Sequence, residues 1–338
     1  MRSFVMPVLF AFAFAFAVSA CGAGTVPVAP TFTPVSFTPP AVLVTPTADP
    51  GAPTPAPQMF DGKHAYDEYL MSQINFGIRP AGSVALRATG DYIVAELQKR
   101  GWQVETQEFE YRNVPIRNII GKFGTGPLLI LGAHYDTRPR ADQDKQNPSA
   151  PILGANDGAS GVAVLLELAR SLDKHKLKNE IWLAFFDAED NGGLSACDLR
   201  VTQMSKPTSL CDTNKWNWSV GAEYVAENLP TKPAAVIVVD MIGDANQNIY
   251  YEHNSDKELQ ERLWKVADEL GYRQWFIPEF KWSMTDDHTP FLQRGIRAID
   301  MIDFDYPPWH TLGDTADKVS ADSLERVGRV LEVWLENQ

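Results

Sequence analysis

Residues 180–190 read EIWLAFFDAED. The six apolar residues from Ile181 to Phe186 are rich in aromatic and branched side chains. A run of that length and composition suits a strand buried on both faces of a parallel sheet. Three carboxylates then arrive within four positions: Asp187, Glu189 and Asp190. Two other runs have the same grammar. PLLILGA (127–133) leads into His134 and Asp136, and AAVIVV (234–239) leads into Asp240. Trp102–Tyr111 and Ile296–Ile302 read as further strands. Between them, apolar residues recur at helical spacing in Ser83–Arg100, Gly158–Leu172, Val220–Asn228, Asp256–Leu270 and Ser320–Leu335. Buried strands alternating with helices predict a three-layer α/β/α sandwich around a mostly parallel sheet.

That fold class decides where the polar residues go. In an open α/β sheet, ligands bind outside the carboxyl ends of the strands. His134, Glu189, Asp190 and Asp240 all follow strand ends, and Asp157 in GANDGAS (154–160) precedes a helix. So many carboxylates in one crevice repel each other unless some are protonated or a cation sits among them. Mixed Asp, Glu and His donors suit Zn²⁺. DYPPWHTLGDT (305–315) follows the last strand, so His310 is placed to add a nitrogen ligand. Any one of these residues alone reads equally well as a helix cap or turn residue. The argument rests on their convergence.

The rest of the chain limits the function. Its 338 residues hold 43 acidic and 30 basic side chains, a net charge of −13, which disfavours a nucleic-acid groove. Arg2 precedes an apolar run from Phe4 to Val18 that is too short for a comfortable membrane span and fits a signal segment. Val18-Ser19-Ala20-Cys21 resembles the lipobox of bacterial lipoproteins, which implies a signal at 1–20 and a lipid on Cys21. An ordinary signal cleavage site is the alternative. Residues 21–57 are rich in Pro, Thr and Ala and read as an extended tether, leaving 58–338 as the catalytic domain. Export would make a disulfide between Cys197 and Cys211 the expected state, with two free thiols as the alternative. A monomer is the default.

GAHYDT (132–137), GANDGASG (154–161), FFDAED (185–190), VVDMIGD (238–244), TDDHTPF (285–291) and WHTLGDT (309–315) occur in this order. Together they resemble the M28 superfamily of zinc aminopeptidases and glutaminyl-peptide cyclotransferases, over roughly Gly62 to Gln338. The resemblance implies that Asp157, Asp190 and His310 hold one zinc and that Glu189 is the general acid/base. It implies that His134 and Asp240 hold a second zinc where one is present. Asp240 would otherwise join Glu189 and Asp286 in a proton-handling network. Asp136 would orient His134, His288 would support Asp286 or its loop, and Trp309 would line the substrate pocket. Asp190 departs from the Glu of animal cyclases. DDHTPFLQRG (286–295) and WHT look most like the cyclotransferase branch, which closes N-terminal glutamine into pyroglutamate. A di-zinc aminopeptidase is the alternative, and a catalytically inert peptide-binding module is a third. The 191–216 loop matches the family poorly, and Trp216 and Trp218 are the candidates there for closing the pocket.

Overall fold

The computed structural model describes residues 58–195 and 214–338. Cys21, the signal and tether segments, Cys197 and Cys211 lie outside the described residues. The helical elements are α1 (Gly62–His64), running through a π-helical Ala65–Leu70 into α2 (Met71–Phe76), then α3 (Val84–Lys99), α4 (Ser160–Ser171), α5 (Val220–Glu227), α6 (Lys257–Glu269), α7 (Thr289–Gln293) and α8 (Ala321–Glu336). The strands are β1 (Gln103–Tyr111), β2 (Val114–Phe123), β3 (Leu128–His134), β4 (Glu180–Phe186), β5 (Ala235–Asp240), β6 (Ile249–Glu252), β7 (Phe276–Trp282) and β8 (Ala298–Ile302).

Six strands form one sheet in the order β1-β2-β4-β3-β5-β8. β4, β3, β5 and β8 run parallel, and β2 and β1 add an antiparallel edge. The alternation of side chains along a strand sorts the apolar runs into two cores. Leu129, Leu131, Ile181, Leu183, Phe185, Ile237 and Val239 pack under α3, α4, α6 and α8. Ile130, Trp182, Ala184, Phe186, Val236 and Val238 pack under α5 and α7. This is the expected three-layer sandwich, and it explains why these strands are apolar throughout instead of alternating with polar residues.

Differences from the sequence reading are small and have local causes. Ser83 and Asp256 stand outside their helices as caps, accepting from Leu86 N at 3.0 Å and Leu259 N at 2.8 Å. β3 and β5 run on to include His134 and Asp240. β2 and the small parallel pair β6–β7 were not anticipated. In β2, Arg117 and Asn118 break the apolar pattern, and Pro278 sits within the half-exposed β7. The β1–β2 connection turns on Arg112 and Asn113 at φ 50° and 63°, the left-handed pair a two-residue hairpin loop uses. The parallel strands β4, β3, β5 and β8 all point their carboxyl ends at one edge of the sheet. Among the described residues no helix is long and apolar enough to cross a membrane.

Candidate metal centre and active site

At that edge five potential ligands meet. His134 closes β3 and Asp240 closes β5, Asp190 lies four residues beyond β4, Asp157 precedes α4, and His310 follows β8. His134 Nε2 is 3.2 Å from Asp157 Oδ1 and 3.1 Å from Asp240 Oδ1. His310 Nε2 is 3.1 Å from Asp190 Oδ1 and 3.7 Å from Asp157 Oδ2. Asp157 therefore offers one oxygen to each of two groups, His134–Asp157–Asp240 and Asp157–Asp190–His310. Ligand atoms around one tetrahedral zinc lie about 3.3 Å apart, given bonds of about 2.0–2.1 Å. All five side chains are buried. Asp157 Oδ2 and Asp190 Oδ2 have no hydrogen-bond partner among the described residues. Buried carboxylate oxygens left this way are costly without a cation, so the donor set fits zinc. Burial opposes charging His310, but Asp190 and Asp142 outweigh it and hold the ring at about 9. Burial likewise opposes charging His134, and the carboxylates of Asp136, Asp157 and Asp240 raise it well above its ordinary value.

The backbone is bent to make this convergence. Ala188, Met241 and His310 are non-glycine residues at φ 61°, 46° and 53°. Each is a ligand or sits beside a ligand or the candidate base. Such conformations cost energy and persist where the surroundings hold them. Asp314 holds the Asp157 loop by accepting from Asn156 N at 2.9 Å, Asp157 N at 3.2 Å and Tyr306 Oη at 2.7 Å. Gly158, at φ 102°, passes so near Asp136 O that a Cβ would stand 2.3 Å from it.

Asp136 faces two groups, the His134 ring and the turn that carries Glu189 and Asp190. It accepts from Glu189 N at 3.1 Å and Asp190 N at 3.2 Å, holding the turn that carries the candidate base and a candidate ligand. Its Oδ1 is 3.6 Å from His134 Nδ1, an ion-pair separation, and that ring nitrogen has no hydrogen-bond partner among the described residues. Glu189 is buried beside the ligands. Burial first, then Asp286, pushes its carboxyl well above the usual range. Burial and Asp240 push Asp286 up to about 6, and burial raises Asp240. These three carboxyls therefore hold protons more tightly than exposed acids do. His288 is fully buried, with Nε2 3.5 Å from Glu252 and Nδ1 4.0 Å from Asp300, so it faces the β6 and β8 side and belongs to neither ligand group. Trp309 stacks on His310 at 4.0 Å between ring centroids. Trp218 lies parallel to His310 at 6.4 Å and is 38% exposed, whereas Trp216 is buried against Tyr111. Sequence reasoning did not find Arg138, Asp142, Asp300 or Asp314. Only Asp300, a carboxylate inside the apolar run of β8, left a usable signal.

The model of peptidase family M28 matches residues 118–335, which is more than half of the chain. The chain belongs to peptidase family M28. Family membership suits the strand-end cluster but leaves the reaction open, because similar structures carry different names. Glutaminyl cyclase from Bacteroides thetaiotaomicron, solved with N-acetylhistamine, is 32% identical with a TM-score of 0.72, covering 83% of this chain and 99% of its own. A leucine aminopeptidase precursor from the same organism is also 32% identical, with a TM-score of 0.73 and the same coverage. A glutaminyl-peptide cyclotransferase-like protein of Bos taurus is 24% identical over 299 residues, 76% of this chain and 71% of its own.

Proposed function

We propose that the chain is a zinc-dependent glutaminyl-peptide cyclotransferase that converts N-terminal glutamine to pyroglutamate and releases ammonia. The observation that carries this reading is the burial of Glu189, Asp286 and Asp240 together beside the candidate ligands, which raises all three carboxyls. Cyclisation moves a proton from the attacking amine to the departing amide nitrogen and uses no water. A base that shares protons with neighbouring acids suits that exchange. The names of the similar cyclases support the same reading.

Asp157, Asp190 and His310 would hold the zinc, which when bound supplies Lewis-acid polarisation of the γ-carboxamide carbonyl. The α-amine of the substrate attacks the γ-carboxamide carbon, and that C–N bond forms as the bond to the amide nitrogen breaks. Glu189 accepts the proton of the attacking amine and delivers it to the leaving nitrogen, so ammonia departs neutral. Asp286 and Asp240 hold the proton that Glu189 shares. Both reacting groups belong to one residue, so the site's main task is orientation. Trp309 and Trp218, parallel to the His310 ring, form walls for the short glutamine side chain. His288 supports the loop that carries Asp286.

The second reading is a di-zinc aminopeptidase, favoured by the complete His134–Asp157–Asp240 group. Zinc-loaded full-length protein, offered Gln-peptides and Leu-peptides separately, distinguishes them. Ammonia from Gln-peptides without leucine release is the expected result. Leucine release without ammonia overturns it, and binding of Gln-peptides without turnover supports the inert module. We place this activity in residues 58–338, as a monomer exported by the signal at 1–20, lipidated at Cys21 and held off a membrane by the 21–57 tether, with Cys197 and Cys211 joined.

A further inference from the structure

We propose that Arg138 and Asp142 form a bracket that fixes the Asp190/His310 half of the centre and sets its affinity for zinc. The proposal rests on the metal reading above. With His310 Nε2 facing Asp157 and Asp190, the ring's proton belongs on Nδ1. Asp142 Oδ1 lies 3.1 Å from that atom. Arg138 grips the same carboxylate twice, with Nη2 2.5 Å from Oδ2 and Nε 3.3 Å from Oδ1. Its remaining nitrogen, Nη1, donates to Asp190 O at 3.0 Å and Gly192 O at 3.1 Å, and lies 3.5 Å from Asp190 Oδ1. One buried guanidinium thus links the ring of one candidate ligand to the backbone and carboxylate of another. It also lies 4.9 Å over the ring of Trp218, so the pocket wall shares this support.

The loop carrying Asp142 holds the His310 segment at two more points. Gln143 N donates to His310 O at 3.1 Å, and Leu312 N donates to Asp144 Oδ2 at 3.2 Å. A carboxylate on the far nitrogen of a ligating histidine fixes its tautomer and its aim, and losing such a partner costs about 10–100-fold in metal affinity. A loop tie with no such role would leave that affinity unchanged. Asp144 supplies the control, because it ties the same two loops without touching the His310 ring.

The test is zinc affinity of the full-length protein, measured by competition with a chromophoric chelator, together with melting of the metal-free form. Asp142→Ala should weaken zinc binding about 10–100-fold, and Asp144→Ala less than threefold. Asp142→Asn keeps an acceptor for Nδ1–H but loses the charge that Arg138 binds. It should fall between them, and it decides the matter if Asp142→Ala does not fold. The bracket is overturned if the Asp142 variants bind zinc within threefold of the unaltered protein. It is equally overturned if Asp144→Ala is as weak as Asp142→Ala. An unaltered protein with no zinc affinity removes the metal centre and the bracket together. Failure of cyclisation with zinc affinity intact removes only the assigned reaction, because affinity is read without turnover.

Discussion

The two halves of the centre share Asp157 but are built differently. On one side His310 has Asp142 at Nδ1, and Asp190 has the Arg138 guanidinium and the Asp136 carboxylate on its backbone. On the other, His134 Nδ1 stands 3.6 Å from its nearest carboxylate, and Asp240 is one of the raised acids around Glu189 and Asp286. A metal site needs oriented, deprotonated ligands. The Asp190/His310 side meets the first requirement through its neighbours. On the His134/Asp240 side the carboxylate behind the ring stands farther off, and Asp240 also faces Asp286. The lesson is that a complete ligand list does not make two equivalent sites. What stands behind the ligands separates them.

The largest effect should come from the group that belongs to neither half. Glu189→Gln should lower turnover about 10²–10⁴-fold while zinc content stays the same. Wild-type rates in that variant would remove Glu189 from the chemistry. Next come the halves themselves. His310→Ala should lose its zinc on gel filtration, whereas His134→Ala should retain one equivalent by elemental analysis and more than about a tenth of the activity. If both variants lose metal equally, and the unaltered protein holds two zinc ions, the contrast fails and the aminopeptidase reading gains.

In the metal-free protein burial raises Asp286 to about 6 and Asp303, the residue after β8, to about 7, while Asp190 and Asp142 outweigh burial and raise His310 to about 9. For the two acids, the folded state holds protons that the unfolded chain releases above about 4, so stability falls between about pH 4 and 7. For His310, stability present below about 6.5 is lost as pH rises through 9, which is the same sign. The metal-free protein should therefore melt several degrees lower at pH 8 than at pH 5. The increase in melting temperature on adding zinc should grow over the same range, because zinc needs deprotonated ligands. A zinc increment that shrinks with rising pH would contradict the ligand assignment. The smallest effect is expected at Trp309→Phe. Loss of part of a stacked wall should raise KM about 2–10-fold with kcat little changed.

Much of this was legible in the chain because the strands are buried on both faces. An unbroken run such as AAVIVV announces both the strand and, by its end, the position of Asp240. The candidate ligands stand at those ends or in short motifs of fixed order. β2 was missed because Arg117 turns its charge to Asp91 at 2.7 Å while its backbone stays in the sheet, so polarity in the sequence hid a buried strand. Asp142 was missed for the opposite reason. In RPRADQDK (138–145) it is one charge among several, and only the fold brings His310 to it. Asp314 needed the same long-range closure onto Asn156 and Asp157. Trp218 and Trp216 could not be told apart until one was seen buried and the other beside His310.

Ala188 and Met241, left-handed without being glycine, set selection for folding against selection for activity. Each costs on the order of 1–2 kcal/mol relative to a relaxed backbone. A library of variants screened only for heat resistance should drift toward glycine or a remodelled turn at these two places. The same library screened for turnover should hold them.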